Sequence, residues 1–449
     1  MREKHQKQMP LMTHIKDHPQ SKELETISAI IDKNRIISEM VLQDLTRGKS
    51  LVQHTGAKGM SADQVVRSAV VKTLYNFTYQ ELAFHIVDSQ SLRWFCRIGI
   101  GEEGFKKSTL NRNIKSISDE TWEKVNRCLV KYAVGEKIEK GRQVRIDCTC
   151  VETNIHQPSD SSLLYDGVRV LTRLLQKAKD AGVRVPGFSN HMRRSKRRML
   201  AIMNAKSPKH RKAAYMDLLK MADKVLDYAR AAERNMFECF SLRVFTISEA
   251  VKHNADLMVK VIDQTRRRVL LGEKVPAREK VVSIFEPHTD IIIKDRRETI
   301  YGHKICLTGG ASNLILDCRI FEGNPPDSSL TISMLERQKD IYGRYPLKAS
   351  LDGGFASKDN LKEAKGLKIR DICFSKKRGL EKTDMCRSEY VYNRLRRFRA
   401  GIEAGISWLK RCMGLSRCTW KGWHSFKSYV WSSIVAANLL TLARAQAPK

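Results

Sequence analysis

No apolar run in this sequence approaches the roughly 20 residues that a bilayer-spanning helix needs, and its polar N-terminus has no signal-peptide core. Membrane insertion is therefore not expected. The eleven cysteines include no Cys-x-x-Cys pair and no Cys/His group at zinc-finger spacing, which argues against a structural zinc site. Their odd number, without a disulfide framework, fits a reducing cytoplasm. Cys306, Cys318 and Cys373 lie in apolar, strand-like runs, where a thiol serves as a small buried hydrophobe. No internal repeat is visible. Negative charge is in short supply: 49 Asp and Glu stand against 82 Lys and Arg, a net of +33. Such a field favours a polyanion, with nucleic acid first and an anionic membrane surface second.

What is present is an ordinary globular composition, 42% hydrophobic and 29% charged, over 449 residues. That length is enough for two or three domains. Residues 1–60 read as a polar arm followed by a helix over 23–47. Residues 61–138 read as an all-helical domain, with Ser61 capping one helix and Thr78–Glu81 opening a second. A basic third helix begins near Ser108, a pattern that fits either a DNA-binding or dimerisation module or a plain bundle. Residues 139–449 read as an α/β domain interrupted after its first strand, Val144–Val151, by a helical insertion over about 161–280. Strand patterns resume at Val281–Ile284 and Ile291–Ile293, a hairpin follows through Gly309-Gly310, and further strands end at Leu351 and Phe374. Two helices close the chain, one around Glu403 and an apolar one over Phe426–Ala443.

Three carboxylates stand out. Asp147 lies mid-strand among apolar residues, and Asp352 ends a strand before Gly353-Gly354, which permits close approach of another backbone. Glu403 lies on a helix whose other polar residues are nearly all cationic, and at 100° per residue Arg399, Glu403 and Lys410 fall within about 40° of one another. The bland readings are an i,i+4 ion pair for Glu403, an Asx-turn for Asp352 and an N–H-accepting residue for Asp147. An isolated aspartate in a buried strand costs several kcal/mol, which convergence of the three on divalent metal would relieve. Two metals about 4 Å apart drive in-line displacement at phosphorus with few protein carboxylates. Glu152, Asp160 and Asp166 compete with Asp147, and His156 reads as a structural hydrogen-bonder.

Arg145–His156, Leu351–Phe355 and the Arg399-x3-Glu403-x6-Lys410 spacing resemble the bacterial insertion-sequence DDE transposases, most closely the ISNCY-like members. The similarity covers about residues 60–445. It implies an RNase H-like mixed sheet with flanking helices, with Asp147, Asp352 and Glu403 as the catalytic triad holding two Mg2+ or Mn2+ ions. It also implies Arg399 and Lys410 as contacts to transposon-end phosphates. Where the family signature has tyrosine three residues before Arg399, this chain has Arg396, counted here with the DNA-facing cations; Tyr392, one turn earlier, is a candidate substitute. Lys304 and Asp327 also recur in such proteins, Lys304 as a DNA contact and Asp327 equally well as a turn residue.

Arg193, Arg194, Arg197 and Arg198 lie in a basic run without acidic relief and are expected to grip the DNA backbone. Trp408, Trp420, Trp423 and Trp431 interleave with cations, and one of them could wedge against an unstacked base. The expectation is a nucleoid-associated bacterial enzyme that binds terminal inverted repeats as a homodimer, cuts the 3′ ends and joins them to target DNA. The alternatives are a nuclease without strand transfer and a catalytically silent DNA-binding protein.

Overall fold

The computed structural model describes residues 4, 18–48, 59–99, 101–237, 241–294, 298–376 and 378–447. The chain divides into two compact units, residues 1–152 with 303–449, and residues 153–302.

The first unit begins with seven helices: α1 (Pro19–Lys33), α2 (Ile36–Thr46), α3 (Ala62–Leu74), α4 (Tyr79–Asp88), α5 (Gln90–Phe95), α6 (Lys107–Lys115) and α7 (Asp119–Gly135). Ser61 and Thr78 do cap helices. Each hydroxyl accepts from an N–H three residues on, and Gln64 and Glu81 return the bond to the cap backbone. Strand β1 (Gln143–Glu152) follows. Its apolar Val144 and Ile146 join one hydrophobic core with Ile27, Val66 and Trp122 of the helices, so the N-terminal helices and the sheet share a single interior.

In the second unit α8 (Asp160–Asp180), α9 (Met192–Met203), α10 (Pro208–Phe237) and α11 (Leu242–Thr265) surround their own core, including Leu164, Leu171, Leu218 and Val261. Strand β2 (Asp290–Lys294) pairs antiparallel with the first residues of β3 (Glu298–Gly309). Val281–Ile284 is not a strand. These residues are buried, but the side-chain amide of Gln264 takes both the N–H and the carbonyl of Val281, which satisfies the backbone without a ladder.

Back in the first unit, β4 (Ile315–Ile320) pairs antiparallel with the second half of β3. Helix α12 (Thr331–Tyr342), β5 (Lys348–Leu351), α13 (Lys358–Gly366), β6 (Asp371–Phe374), α14 (Lys382–Met385), α15 (Glu389–Cys412) and α16 (Trp423–Gln446) complete it. Strands β5 and β6 run parallel to β1, and the order across the sheet is β2-β3-β1-β5-β6 with β4 also on β3. The chain is thus a mixed α/β fold with helices flanking a mixed sheet. No helix among the described residues is long and apolar enough to cross a membrane.

Helix α15 is stitched to the sheet one strand at a time. The Tyr392 hydroxyl donates to the Phe374 carbonyl on β6 (3.1 Å), the Ser350 hydroxyl on β5 donates to the Leu395 carbonyl (2.8 Å), and Arg145 on β1 donates to the Phe398 carbonyl (3.1 Å). Arg145 lies under the Phe398 ring, 4.7 Å from its centroid. Its path needs Gly401, where a Cβ would stand 1.7 Å from an Arg145 guanidinium nitrogen. Helix propensity alone would make Gly401→Ala stabilising by about 1 kcal/mol. Overpacking against a buried, hydrogen-bonded arginine costs about 1–3 kcal/mol and should win. Urea unfolding should show the variant to be the less stable; a gain in stability would mean that Arg145 is free to move aside.

Candidate active site

Asp147, Asp352 and Glu403 are brought together through one side chain. The Nη1 of Arg399 lies 3.4 Å from Asp147 Oδ2 and 3.5 Å from Asp352 Oδ1, and its Nη2 donates to Glu403 Oε1 at 2.6 Å. The guanidinium therefore stands among three carboxylates that come from a strand, a strand end and a helix. Among the described residues no cluster of three His, Cys, Asp or Glu side chains is arranged to hold a metal ion as it stands.

Each carboxylate has its own support. Asp147 is mostly buried, and its Oδ1 accepts the N–H of Cys148 at 2.8 Å. Asp352 immediately precedes the short 3-10 turn Gly353–Phe355 and accepts from the Ser375 hydroxyl just past β6 (2.8 Å). The two glycines after it are sterically required. A Cβ on Gly353 would meet Lys376 Cβ at 2.6 Å, and one on Gly354 would meet Asp327 Oδ2 at 2.6 Å. Glu403 is the most open of the three, with 56% of its side chain exposed.

These environments push the two aspartates apart. Burial raises Asp147 to about 6, helped by the charges of Asp352 and Glu403 and opposed by the Cys148 N–H and Arg399. Burial would raise Asp352 too, but the Ser375 hydroxyl, the N–H groups of Gly353 and Gly354 and the Arg399 charge together hold it below the usual carboxylate range. Arg399 is itself partly desolvated, yet its three acidic neighbours raise its affinity for the proton. The N–H-accepting role of Asp147 thus coexists with its contact to Arg399.

The family model described as a transposase DDE domain matches residues 285–439, and a second, described as a transposase domain (DUF772), matches residues 13–116. The chain belongs to the insertion-sequence DDE transposases. No curated protein and no solved structure matches it. The DDE match contains Asp352, Arg399 and Glu403 but begins beyond Asp147, which joins them through Arg399.

Other expected site residues of the transposase lie as follows. Arg396 is exposed on α15, and Lys410 is half-buried near its C-terminal end. Lys304, expected as a DNA contact, is turned into the fold. It is buried, donating to the Pro325 carbonyl at 2.6 Å and pairing with Asp327 at 2.5 Å, so it braces the loop that packs on Gly354. Tyr392 cannot replace the signature tyrosine, because it is buried with its hydroxyl on β6. Trp420 and Trp431 are buried and so are core rather than wedges; Trp408 and Trp423 are half-buried against the same core, with Trp423 stacked on Phe426. In the second unit the basic run has more acidic relief than its sequence suggests: Asp217, from α10, pairs with Arg194 and Arg198, while Arg193 and Arg197 are exposed without an acidic partner among the described residues. Asp160 is held by Arg268, Asp166 by Arg169, and the backbone of Glu152 pairs with Ser416 and Cys418. Arg145 and Ser375 were invisible as site residues, because only the fold brings them to α15 and Asp352.

A raised carboxyl pKa is a stability cost above it. With Asp147 at about 6 in the fold and 3.8 as its reference value, the native state holds the proton longer, so stability falls as pH rises through that window. Asp147→Asn should therefore stabilise the transposase at pH 7, on the order of 2–3 kcal/mol, with the gain vanishing near pH 4. Denaturant titrations at the two pH values check this, and equal stability of the two proteins at pH 7 would contradict it.

Proposed function

We propose that this transposase binds the terminal inverted repeats of its element, cuts the 3′ ends by metal-dependent hydrolysis, and joins the freed 3′-hydroxyls to target DNA as a homodimer. The observation that carries the reading is the contact of Arg399 with Asp147, Asp352 and Glu403 together. The strand order β4-β3-β1-β5-β6, with β5 and β6 parallel to β1, supports an RNase H-like core. Residues 153–302, entered directly after β1, support a helical insertion in that core.

The donor set fits hard divalent cations: three carboxylates, with a guanidinium already standing among them as a cation. Asp147, Asp352 and Glu403 would hold two Mg2+ or Mn2+ ions, which when bound supply activation of the attacking oxygen and stabilisation of the leaving one. Asp147, with a pKa of about 6, is mostly ionised at neutral pH. Arg399 then moves from counter-ion to phosphate contact, joined by Lys410 and the exposed Arg396. Arg193 and Arg197, with Arg194 and Arg198 shared with Asp217, would hold the DNA backbone along the insertion. In the first step a water oxygen bonds to phosphorus, the bond to the 3′ oxygen breaks, and that oxygen leaves as the hydroxyl. In the second, the same hydroxyl oxygen attacks a target phosphorus and displaces a target 3′ oxygen. Each step exchanges one phosphorus–oxygen bond for another; the attacking oxygen gives up a proton and the leaving 3′ oxygen takes one up.

The test is to incubate the purified chain and Mg2+ with a labelled duplex from the element's ends and a supercoiled plasmid. The wild type should nick the duplex and join it to the plasmid, whereas Glu403→Gln should bind the duplex and reduce both products by about 10³-fold or more. Nicking without joined product would support a nuclease instead, and undiminished cleavage by Glu403→Gln would reject the triad.

A further inference from the structure

A second concentration of positive charge in the first unit is assembled from opposite ends of the chain, and none of its members pairs with the three carboxylates. Helix α6 buries Leu110, Asn113 and Ile114 and turns Lys107, Ser108, Arg112 and Lys115 to solvent, with Asn111 half-buried on the same side. At 100° per residue these five positions cover an arc of about 140°. The arc contains no acidic residue. Arg112 and Lys115 in the last turn complement the helix dipole, but Lys106 and Lys107 at the N-terminal end oppose it, and no acidic residue in the first turn offsets them.

The arc continues onto the loop before α16. The Lys115 ammonium lies over the Trp420 ring, 5.7 Å from its centroid, and the exposed Lys421 is the next residue. The cations crowd one another. Lys115 is lowered by burial and by the charge of Lys421, and Lys72 on α3 by burial and by the charge of Lys115, with Cys418 opposing in both cases. Among the described residues no carboxylate pairs with Lys72, Lys107, Arg112, Lys115 or Lys421; the neighbouring Asp119 is taken by Lys427 and His424. An arrangement of like charges that lower one another's proton affinity, without a carboxylate to relieve them, is complementary to a polyanion. The loop is also tied to the strand that carries Asp147. Glu152 N–H donates to the Ser416 carbonyl (3.1 Å), and Cys418 N–H to the Glu152 carbonyl (2.8 Å).

We propose that the exposed arc of α6, extended by Lys421, is a docking face for double-stranded DNA from the element's own ends. Lys107, Arg112, Lys115 and Lys421 meet backbone phosphates, while Ser108 and Asn111, the two neutral polar residues on the arc, reach base edges. This rests on the reading that the chain acts on DNA, and it is narrower than that reading.

Fluorescence anisotropy of the purified full chain with two labelled duplexes, one from the ends of the element and one unrelated, tests it across a salt series. Replacing Lys107, Arg112, Lys115 and Lys421 with Gln should weaken binding to both duplexes and reduce the slope of log affinity against log salt by about 3–4. Arg at the three lysine positions should preserve the slope, which separates lost charge from lost folding. Ser108→Ala with Asn111→Ala should leave the slope in place and narrow the preference for the end duplex by about tenfold or more. A folded Gln variant with wild-type affinity and slope overturns the face. An unchanged preference in the Ser108/Asn111 variant overturns the assignment to element ends and leaves unrelated target DNA as the occupant. Strand cleavage is scored separately, so an inactive triad does not alter either result.

Discussion

The contact of one guanidinium with three carboxylates is the interaction on which the rest of the first unit's geometry bears. Asp147, Asp352 and Glu403 would repel one another if nothing stood between them, and burial makes that repulsion worse at Asp147. Arg399 is suited to the place because its planar fork offers several donors at fixed angles, so a single side chain reaches three acceptors. The balance is incomplete. One positive charge faces three carboxylates, which leaves the cluster net negative within a chain of net +33. A local anionic focus on a cationic protein draws small cations inward while the surrounding surface draws DNA, which is the combination that phosphoryl transfer on DNA requires.

That contact is possible because α15 is fixed in register over the sheet. Tyr392, Ser350 and Arg145 each make one hydrogen bond, to or from β6, β5 and β1 in turn. The third sets the height of the helix turn that carries Arg399 and Glu403, and it exists only because Gly401 leaves room for Arg145. On the far side of Asp352, Lys304 and Asp327 brace the loop that packs on Gly354, while Ser375 holds the carboxylate itself. The site is thus set by side chains that never touch one another along the sequence.

The parts of this that were legible in the sequence are those governed by local pattern. The strand around Asp147, the Gly-Gly step after Asp352 and the helical spacing of Arg399, Glu403 and Lys410 all follow from period and turn chemistry. What was not legible depends on partners far along the chain. Lys304 reads as a surface cation until Pro325 and Asp327 are folded against it. Val281–Ile284 reads as a strand because it is rich in β-branched apolar residues, yet Gln264 takes the backbone of Val281 instead. Arg194 and Arg198 read as unrelieved charge because Asp217 lies on the next helix. Tyr392 reads as a candidate for the missing signature tyrosine, but its hydroxyl is spent on seating α15.

Metal-dependent chemistry at this site requires that the place held by Arg399 be a divalent-cation site. Calorimetric titration of the DNA-free chain with Mn2+ measures this without any strand cleavage. Removing the guanidinium by Arg399→Ala should tighten Mn2+ binding by about tenfold or more, equivalent to about 1.4 kcal/mol, and adding Asp147→Asn and Asp352→Asn should abolish it. Absence of Mn2+ binding in the Arg399→Ala protein, or binding that persists when both aspartates are neutralised, would contradict it.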